Sequence, residues 1–340
     1  MTTPSDPIVD IADLHVRFKG ERNVHALNGV DIKLAQGEVL GLLGESGSGK
    51  SVTLKALLRM LPARRTDIKG SIKVEGRDVM ALDPLALESL RGGVVSMIFQ
   101  EPMLALDPVY TIGDQIAEAV VKHERVSYAA GRQRALEMLE RVRIPSAKRR
   151  LDNYPHEMSG GMRQRAMIAL ALSCRPKVLL ADEPTTALDA TVQIQVLLLL
   201  RELQRELGMA VIFVTHDIGV AVEISDRISV MYAGRIVESG SLRQVVKQPS
   251  HPYTRGLLSS TMHGAHRGQR LEAIPGSPPR LDTVPDGCAF QPRCSRSLPE
   301  CGHGEISLRP VAAGHAARCI RVAPADGGDT AQRTEAAAAT

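Results

Sequence analysis

Gly44-Glu45-Ser46-Gly47-Ser48-Gly49-Lys50-Ser51 carries the densest chemistry in the chain. It fits the spacing G-x-x-x-x-G-K-[ST]. Glycine at these places lets backbone N–H groups turn toward an anion with no Cβ in the way. Gly44, Ser46, Gly47 and Gly49 would line a phosphate cradle, Lys50 would reach the β- and γ-phosphates, and the Ser51 hydroxyl would take Mg²⁺. Asp182-Glu183 is the second chemical pair, closing the apolar run Val178-Leu179-Leu180-Ala181. Ligands collect at the carboxyl ends of strands in open α/β sheets. There Asp182 would hold Mg²⁺, directly or through water, and Glu183 would polarise an attacking water as general base.

Four further features suit the same phosphate chemistry. Ser159-Gly160-Gly161 opens a helical stretch and would make a second anion-binding helix start. His216 ends the apolar run Phe213-Val214-Thr215 and could sense or clamp a γ-phosphate. Gln100 ends another apolar run, Val94 to Phe99, and Asp189 closes the segment Thr185-Thr186-Ala187-Leu188-Asp189 that follows Asp182-Glu183. Taken singly, Gln100 reads as an amide satisfying backbone and His216 as a core imidazole bonded to its neighbours. Beside one phosphate loop they read as parts of one pocket. Phe18, in a chain with only 3% aromatic residues, either stacks on an adenine ring or packs in the core.

The elements that must position these residues are legible as apolar periodicity. Gly37 to Leu43 reads as a short strand before the loop, and Ser51 to Leu61 as a helix after it, with Leu54, Leu57, Leu58 and Leu61 on one face. The helix start adds its positive dipole end to the cradle. Residues 7–37 and Ser71 to Val74 alternate apolar and polar, which predicts a small antiparallel layer. Helices are predicted at Ile112 to Val126 and Arg132 to Arg143, separated by a break at Ser127 to Gly131, within a helical insertion. Strands at Lys177 to Ala181 and Ala210 to Val214 alternate with helices at Ala190–Leu207 and Ile218–Ser225, as in a buried parallel sheet. Arg227 to Glu238 reads as a hairpin turning at Ala233-Gly234.

Composition excludes several classes. The 340 residues are 44% hydrophobic and 24% charged, ordinary for a globular protein with one large domain and a smaller appendage. A net charge of +4 is too small to argue for nucleic acid. Arg141, Arg143, Lys148, Arg149 and Arg150 form a solvated face or a contact patch. No run of about 18 apolar residues predicts a membrane span. Met1 to Asp10 lacks a secretory pattern, so an intracellular chain is expected, where disulfides are disfavoured.

Read in order over residues 7–240, these motifs resemble the ABC ATPase family. Gly44–Ser51 is similar to its Walker A loop, Gln100 to the Q-loop glutamine and Ser159-Gly160-Gly161 to the signature. Asp182 and Glu183 resemble the Walker B pair, Asp189 the D-loop aspartate and His216 the switch histidine. Met162 departs from the glutamine usual after the signature. The resemblance implies an α/β P-loop NTPase cassette with a RecA-like parallel core, an antiparallel β subdomain and a helical subdomain at residues 103–175. It implies ATP on Phe18, the cradle residues, Lys50, Ser51, Gln100, Asp182 and Asp189. Mg²⁺ would lie on Ser51, Gln100 and Asp182, and catalysis would fall to Glu183 and His216. It also implies a dimer in which each Ser159-Gly160-Gly161 faces the γ-phosphate of the partner's loop.

Residues 241–322 form a C-terminal extension. His251-Pro252-Tyr253-Thr254-Arg255-Gly256-Leu257-Leu258 and Ile274-Pro275-Gly276-Ser277-Pro278-Pro279 resemble the extension of the oligopeptide/dipeptide importer ATPases. That implies a translocase subunit at the cytoplasmic face of a cell membrane. Its expected partners are two transmembrane permease subunits, a second ABC ATPase (heterodimer) and an extracytoplasmic solute-binding protein, with no nucleic acid. The alternative is a soluble ABC ATPase of DNA repair or translation. Cys288, Cys294, Cys301 and Cys319 are separated by five, six and seventeen residues in a segment poor in apolar side chains. Four thiols suit an iron–sulfur cluster or zinc. The absence of close C-x₂₋₄-C pairs leans toward a cluster, and some members of the resembled family carry [4Fe–4S] there. Four free thiols are the remaining reading. His303 and His315 could replace a thiol. Residues 323–340 are expected to be disordered.

Overall fold

Alternation of apolar and polar residues at the start of the chain folds into an antiparallel layer. β1 (Val9–Phe18) pairs with β2 (Val24–Leu34), Val9 opposite Leu34 and Phe18 opposite Val24. After β3 (Val39–Leu43) and α1 (Lys50–Leu57), β4 (Thr66–Val74) returns to the other side of β1, and β5 (Arg77–Asp78) completes the order β2-β1-β4-β5. Val30, Ile32 and Leu34 are buried while Asp31 and Lys33 face solvent, the period of a half-buried strand. The computed structural model describes residues 6–186, 188–261, 274–283 and 286–322; the tail expected to be disordered lies outside them.

The larger sheet grows from the unbroken apolar runs. α2 (Pro84–Gly93) leads to β6 (Val95–Ile98), and the helical part follows as α3 (Pro102–Ala105), α4 (Ile112–Glu124), α5 (Tyr128–Arg141), α6 (Ala147–Arg150) and α7 (Gly160–Leu172). Then come β7 (Val178–Asp182), α8 (Ala190–Leu207), β8 (Ala210–Thr215), α9 (Ile218–Ile224), β9 (Arg227–Tyr232) and β10 (Arg235–Ser241). β9, β3, β8, β7 and β6 lie side by side in parallel. Every residue of β3, β7 and β8 is buried, as helices covering both faces of a parallel sheet require. The hairpin between β9 and β10 turns at Ala233 (φ 47°) and Gly234 (φ 77°), as expected.

Several helix boundaries differ from expectation, two of them by four residues. α1 stops at Leu57, and Arg59 turns left-handed at φ 48°, so Leu61 reaches the core from a loop. Ser127 to Gly131 is the start of α5 and not a break. Ser127 caps it by accepting the Ala130 N–H, and Gly131 sits inside because a Cβ there would lie 2.8 Å from the Ala117 carbonyl of α4. The glycine marks close helix packing. The basic group is tied down in part: Arg141 meets Glu206 at 3.0 Å and Arg143 meets Glu202 at 2.6 Å on α8.

The extension continues the main sheet. α10 (Leu242–Lys247) and α11 (Pro252–Thr261) precede β11 (Arg309–Ala312) and β12 (His315–Ala317), and β12 pairs with β10 at the sheet edge. Glu238 of β10 is fully buried and accepts hydrogen bonds from the Ser250 and His251 amides at 2.7 and 2.8 Å. His315 Nε2 lies 2.8 Å from the same carboxylate, so this ring nitrogen is committed to Glu238 and not to a thiol. Tyr253, Leu258 and Phe290 share one core with Leu43, Ile228, Val230 and Tyr232, which joins the extension to the cassette by packing as well as by pairing.

Candidate active site

Register brings the chemistry together. Leu43 of β3 stands opposite Thr215 of β8, Val214 of β8 opposite Asp182 of β7, and Ala181 opposite Ile98 of β6. The residues just beyond these ends therefore meet at one rim: Gly44 to Ser51, Glu183, His216 and Gln100. Their shared space is a cavity of about 910 Å³, ample for a nucleotide, lined among others by Phe18, Lys50, Gln100, Glu183 and His216. Phe18 lines the cavity and packs against the core beneath.

The phosphate loop is shaped by glycine. Gly49 caps α1 at φ 110°, and a Cβ there would lie 2.8 Å from the Ala26 carbonyl. A Cβ on Gly44 would stand 2.2 Å from the Met231 carbonyl. At Gly47 (φ 78°) nothing lies within 4 Å, so that side of the loop is open. Lys50 is only 4% exposed and donates to the Gly44 and Glu45 carbonyls at 2.7 and 2.9 Å. Burial pulls its pKa down, while Glu183, Asp182 and Glu45 oppose that. The Ser48 hydroxyl is buried without a hydrogen-bond partner among the described residues, on the Gly44 side of the loop.

The metal donors also fit. The Ser51 hydroxyl donates to Asp182 Oδ1 at 2.8 Å, so a hydroxyl and a carboxylate, hard oxygen donors of the kind Mg²⁺ takes, already converge. Burial pushes the Asp182 carboxyl up, against the hydrogen bond from Ser51 and the charges of Lys55 and Lys50. Glu183 is the hub. Its Oε2 lies 3.1 Å from His216 Nδ1, 3.4 Å from the Gln100 amide nitrogen and 3.1 Å from the Thr186 hydroxyl, and its Oε1 is 3.9 Å from Lys50 Nζ. Glu183 adopts φ 45°, a left-handed backbone rare outside glycine, Asn and Asp, which turns its side chain back toward the loop. Gln100 reaches this group through Glu183.

Ser159-Gly160-Gly161 and Asp189 stand outside the cavity. Ser159 is exposed and caps α7 by accepting the Met162 N–H at 3.3 Å; Asp189 caps α8 through the Val192 N–H at 3.0 Å. A Cβ on Gly161 would meet Val192 at 3.1 Å, so the two helix starts are neighbours. Met162 packs against the core, a role an amide would serve poorly.

The geometry is matched by relatives. A family model for ABC transporters matches residues 27–186, and one for the C-terminal region of oligopeptide/dipeptide transporters matches residues 237–301. A peptide import ATP-binding protein of Brucella melitensis is 49% identical over 329 residues, covering 93% of this chain and 97% of that protein. The chain belongs to the ATP-binding subunits of the oligopeptide/dipeptide ABC transporters. A peptide ABC transporter ATP-binding protein of Sinorhizobium fredii is 48% identical over 320 residues, 93% of this chain and 96% of that one. Among solved structures, a dimeric ATP-binding cassette in a post-hydrolysis state with ADP and Pi aligns with a TM-score of 0.62 at 30% identity, over 69% of this chain and 99% of that one. CbiO1 of Clostridium perfringens, part of an ABC transporter complex, aligns with a TM-score of 0.62 at 28% identity, over 72% and 92%. This ABC ATPase binds and hydrolyses ATP, and the alternative in DNA repair or translation is not favoured. Among the described residues no helix is long and apolar enough to cross a membrane.

Sequence reasoning missed Thr186 as a partner of Glu183 and missed the extension's share of the cavity, from Leu257, Ser260, Ile274 and Leu281. No local motif marks them. The four tail cysteines are all close enough that Cys301, Cys319 and Cys294 add to the rise that burial imposes on the Cys288 thiol. Among the described residues no three His, Cys, Asp or Glu side chains converge as a single bound ion requires. Neither zinc nor a cluster is supported by this geometry. Cys174 is half-buried just past the end of α7, its sulfur 3.6 Å from the Ala119 carbonyl.

Proposed function

We propose that the chain powers import of dipeptides or oligopeptides by closing on ATP with a second cassette and reopening after hydrolysis. The observation that carries the catalytic part is the meeting of His216, Gln100, Thr186 and Lys50 on one carboxylate, Glu183, beside the phosphate loop. In this reading Lys50 and the loop amides bind the phosphates. Ser51 and Asp182 would hold Mg²⁺, with Gln100 reaching it from its place beside Glu183, and the ion would neutralise charge on the phosphate oxygens. Glu183 takes the proton of the attacking water, and His216 orients Glu183 and senses the γ-phosphate. Ser159, Gly160, Gly161 and Asp189, which stand outside their own chain's cavity, complete the partner's site.

The peptide cargo follows the printed names of the relatives and the match of the extension. The partners in this reading are two permease subunits, a related second ATPase and an extracytoplasmic solute-binding protein, with the chain peripheral on the cytoplasmic face. The test is to purify the chain with whatever membrane subunits accompany it and to measure ATP turnover with and without peptides. Stimulation by peptides supports the reading; stimulation by another solute class alone overturns the cargo.

We further propose that Cys288, Cys294, Cys301 and Cys319 carry a [4Fe–4S] cluster, a reading supported by four soft thiols gathered in one segment. Iron and sulfide analysis of anaerobically purified protein tests it. Iron-free protein, with or without zinc, overturns it.

A further inference from the structure

The phosphate loop is held from the far end of the chain. Arg293 gives Glu45 two hydrogen bonds, Nη1 to Oε2 at 2.7 Å and Nη2 to Oε1 at 3.0 Å. The same guanidinium donates to the Tyr232 hydroxyl at 3.3 Å and, through Nε, to the Pro275 carbonyl at 2.8 Å. The main chain of the loop is held as well, because the Glu45 N–H donates to the Tyr253 hydroxyl at 2.9 Å. Tyr232, Tyr253 and Phe290 pack ring on ring at 4.5 to 5.3 Å, and Arg293 lies 5.8 Å from the Tyr232 ring centre and 5.9 Å from that of Phe290.

This pairing has a consequence for anion binding. Glu45 brings a negative charge into a loop whose amides must receive phosphate. Left unpaired, it would repel the nucleotide and compete for Lys50, on which its charge already acts. A forked, charge-assisted pair neutralises it and fixes its direction, and loss of one partner leaves a partly buried charge uncompensated. Arg293 is 8% exposed, so water does little to replace it. It is also the residue before Cys294, in a turn region where the Cys288 N–H donates to the Cys301 carbonyl at 2.7 Å. Ordering of the cysteine segment therefore sets where the guanidinium stands.

We propose that Arg293 is a positioning residue for ATP use: by pairing with Glu45 it keeps the phosphate loop shaped for phosphate, and it makes ATP affinity depend on the order of the cysteine segment. The proposal needs only the ATP site and not any particular occupant of the thiols. The test compares full-length wild type with Arg293→Gln, Arg293→Lys, Glu45→Gln and the Gln–Gln double variant, reading KM and kcat for ATP, Kd for a fluorescent ATP analogue, and thermal unfolding.

Arg293→Gln should raise KM and Kd about tenfold with kcat changed less than about threefold, the scale of one charged hydrogen-bonded pair. Arg293→Lys should recover part of this, because it restores charge without the fork. It also carries the test if the glutamine variant fails to fold. On the Glu45→Gln background the Arg293 change should cost less, because the charge to be neutralised is gone. Cys294→Ser should raise KM in the wild type and not in Arg293→Gln. Wild-type KM and Kd in Arg293→Gln with only a lowered melting temperature would make the residue structural and overturn the proposal. Equal costs on both Glu45 backgrounds would overturn it too, and an equal Cys294→Ser effect with and without Arg293 would refute the link to the cysteine segment.

Discussion

His216 Nδ1 stands 3.1 Å from Glu183 Oε2, and the two residues directly follow strands β8 and β7, which are neighbours in the sheet. The pair is therefore positioned by backbone pairing and not by loop chance. Glu183→Gln keeps the size and one carbonyl oxygen for Thr186 and Gln100 but removes the base. Turnover should fall by roughly 10²- to 10⁴-fold, the usual contribution of a placed general base, while ATP binding persists. Single-turnover hydrolysis beside equilibrium binding separates the two. A near wild-type rate would place the base elsewhere.

Lys50 is held against its own solvation preference. Burial pulls its pKa down, and its ammonium rests on the carbonyls of Gly44 and Glu45 inside the loop. Lys50→Met removes a buried charge and keeps an unbranched chain of similar length. Nucleotide affinity should drop roughly tenfold to a hundredfold, the worth of charged hydrogen bonds to phosphate. The melting temperature of the nucleotide-free protein should stay level or rise, because desolvation of the ammonium is no longer required. Titration calorimetry and a thermal melt check both halves; a large loss of stability would show that Lys50 is mainly structural.

Much of this site was legible because its parts obey local rules. A parallel strand buried on both faces must be an apolar run, so β3, β7 and β8 announced themselves, and the carboxyl-end rule then put Gly44, Asp182 and His216 at one rim. Thr186 and Arg293 were not legible, because their partners are set by a left-handed backbone at Glu183 and by tertiary packing across 248 residues. Gly131 misled for a related reason. Glycine is a turn signal locally, and only the nearness of α4 shows that it is there for want of a Cβ. The stretch after residue 240 read as an appendage, yet its β12 pairs within the main sheet, a link no periodicity could report.

His251 makes stability depend on pH. Burial pulls it from 6.5 to about 3, and in its neutral form Nδ1 accepts the Tyr253 N–H at 3.1 Å. The sign follows from proton uptake. Below 6.5 the unfolded chain binds a proton that the folded chain refuses, so this contribution is complete above 6.5 and is lost as pH falls toward about 3. The slope should approach ~1.4 kcal/mol per pH unit. His251→Asn retains an acceptor for the helix start and has no proton to gain. Urea unfolding at several pH values between neutrality and the acid limit should give a flatter profile for the variant; parallel profiles would mean that His251 is protonated without cost.

Ser159 offers the clearest separation of one site into two chains. It is exposed, caps α7 and does not line the cavity that holds Lys50 and Glu183. Ser159→Arg adds bulk and charge at the helix start. Loss of the cap should cost only about 1 kcal/mol, so the chain still folds. Its own phosphate loop is untouched, and ATP should bind with wild-type affinity. If a partner's γ-phosphate must rest on this helix start, hydrolysis should nevertheless be lost, and the ATP-dependent dimer of an otherwise hydrolysis-dead Glu183→Gln chain should no longer form. Equilibrium binding, turnover and sedimentation of the variants read these three properties separately. Parallel loss of ATP affinity would instead mean that Ser159 serves the cavity of its own chain.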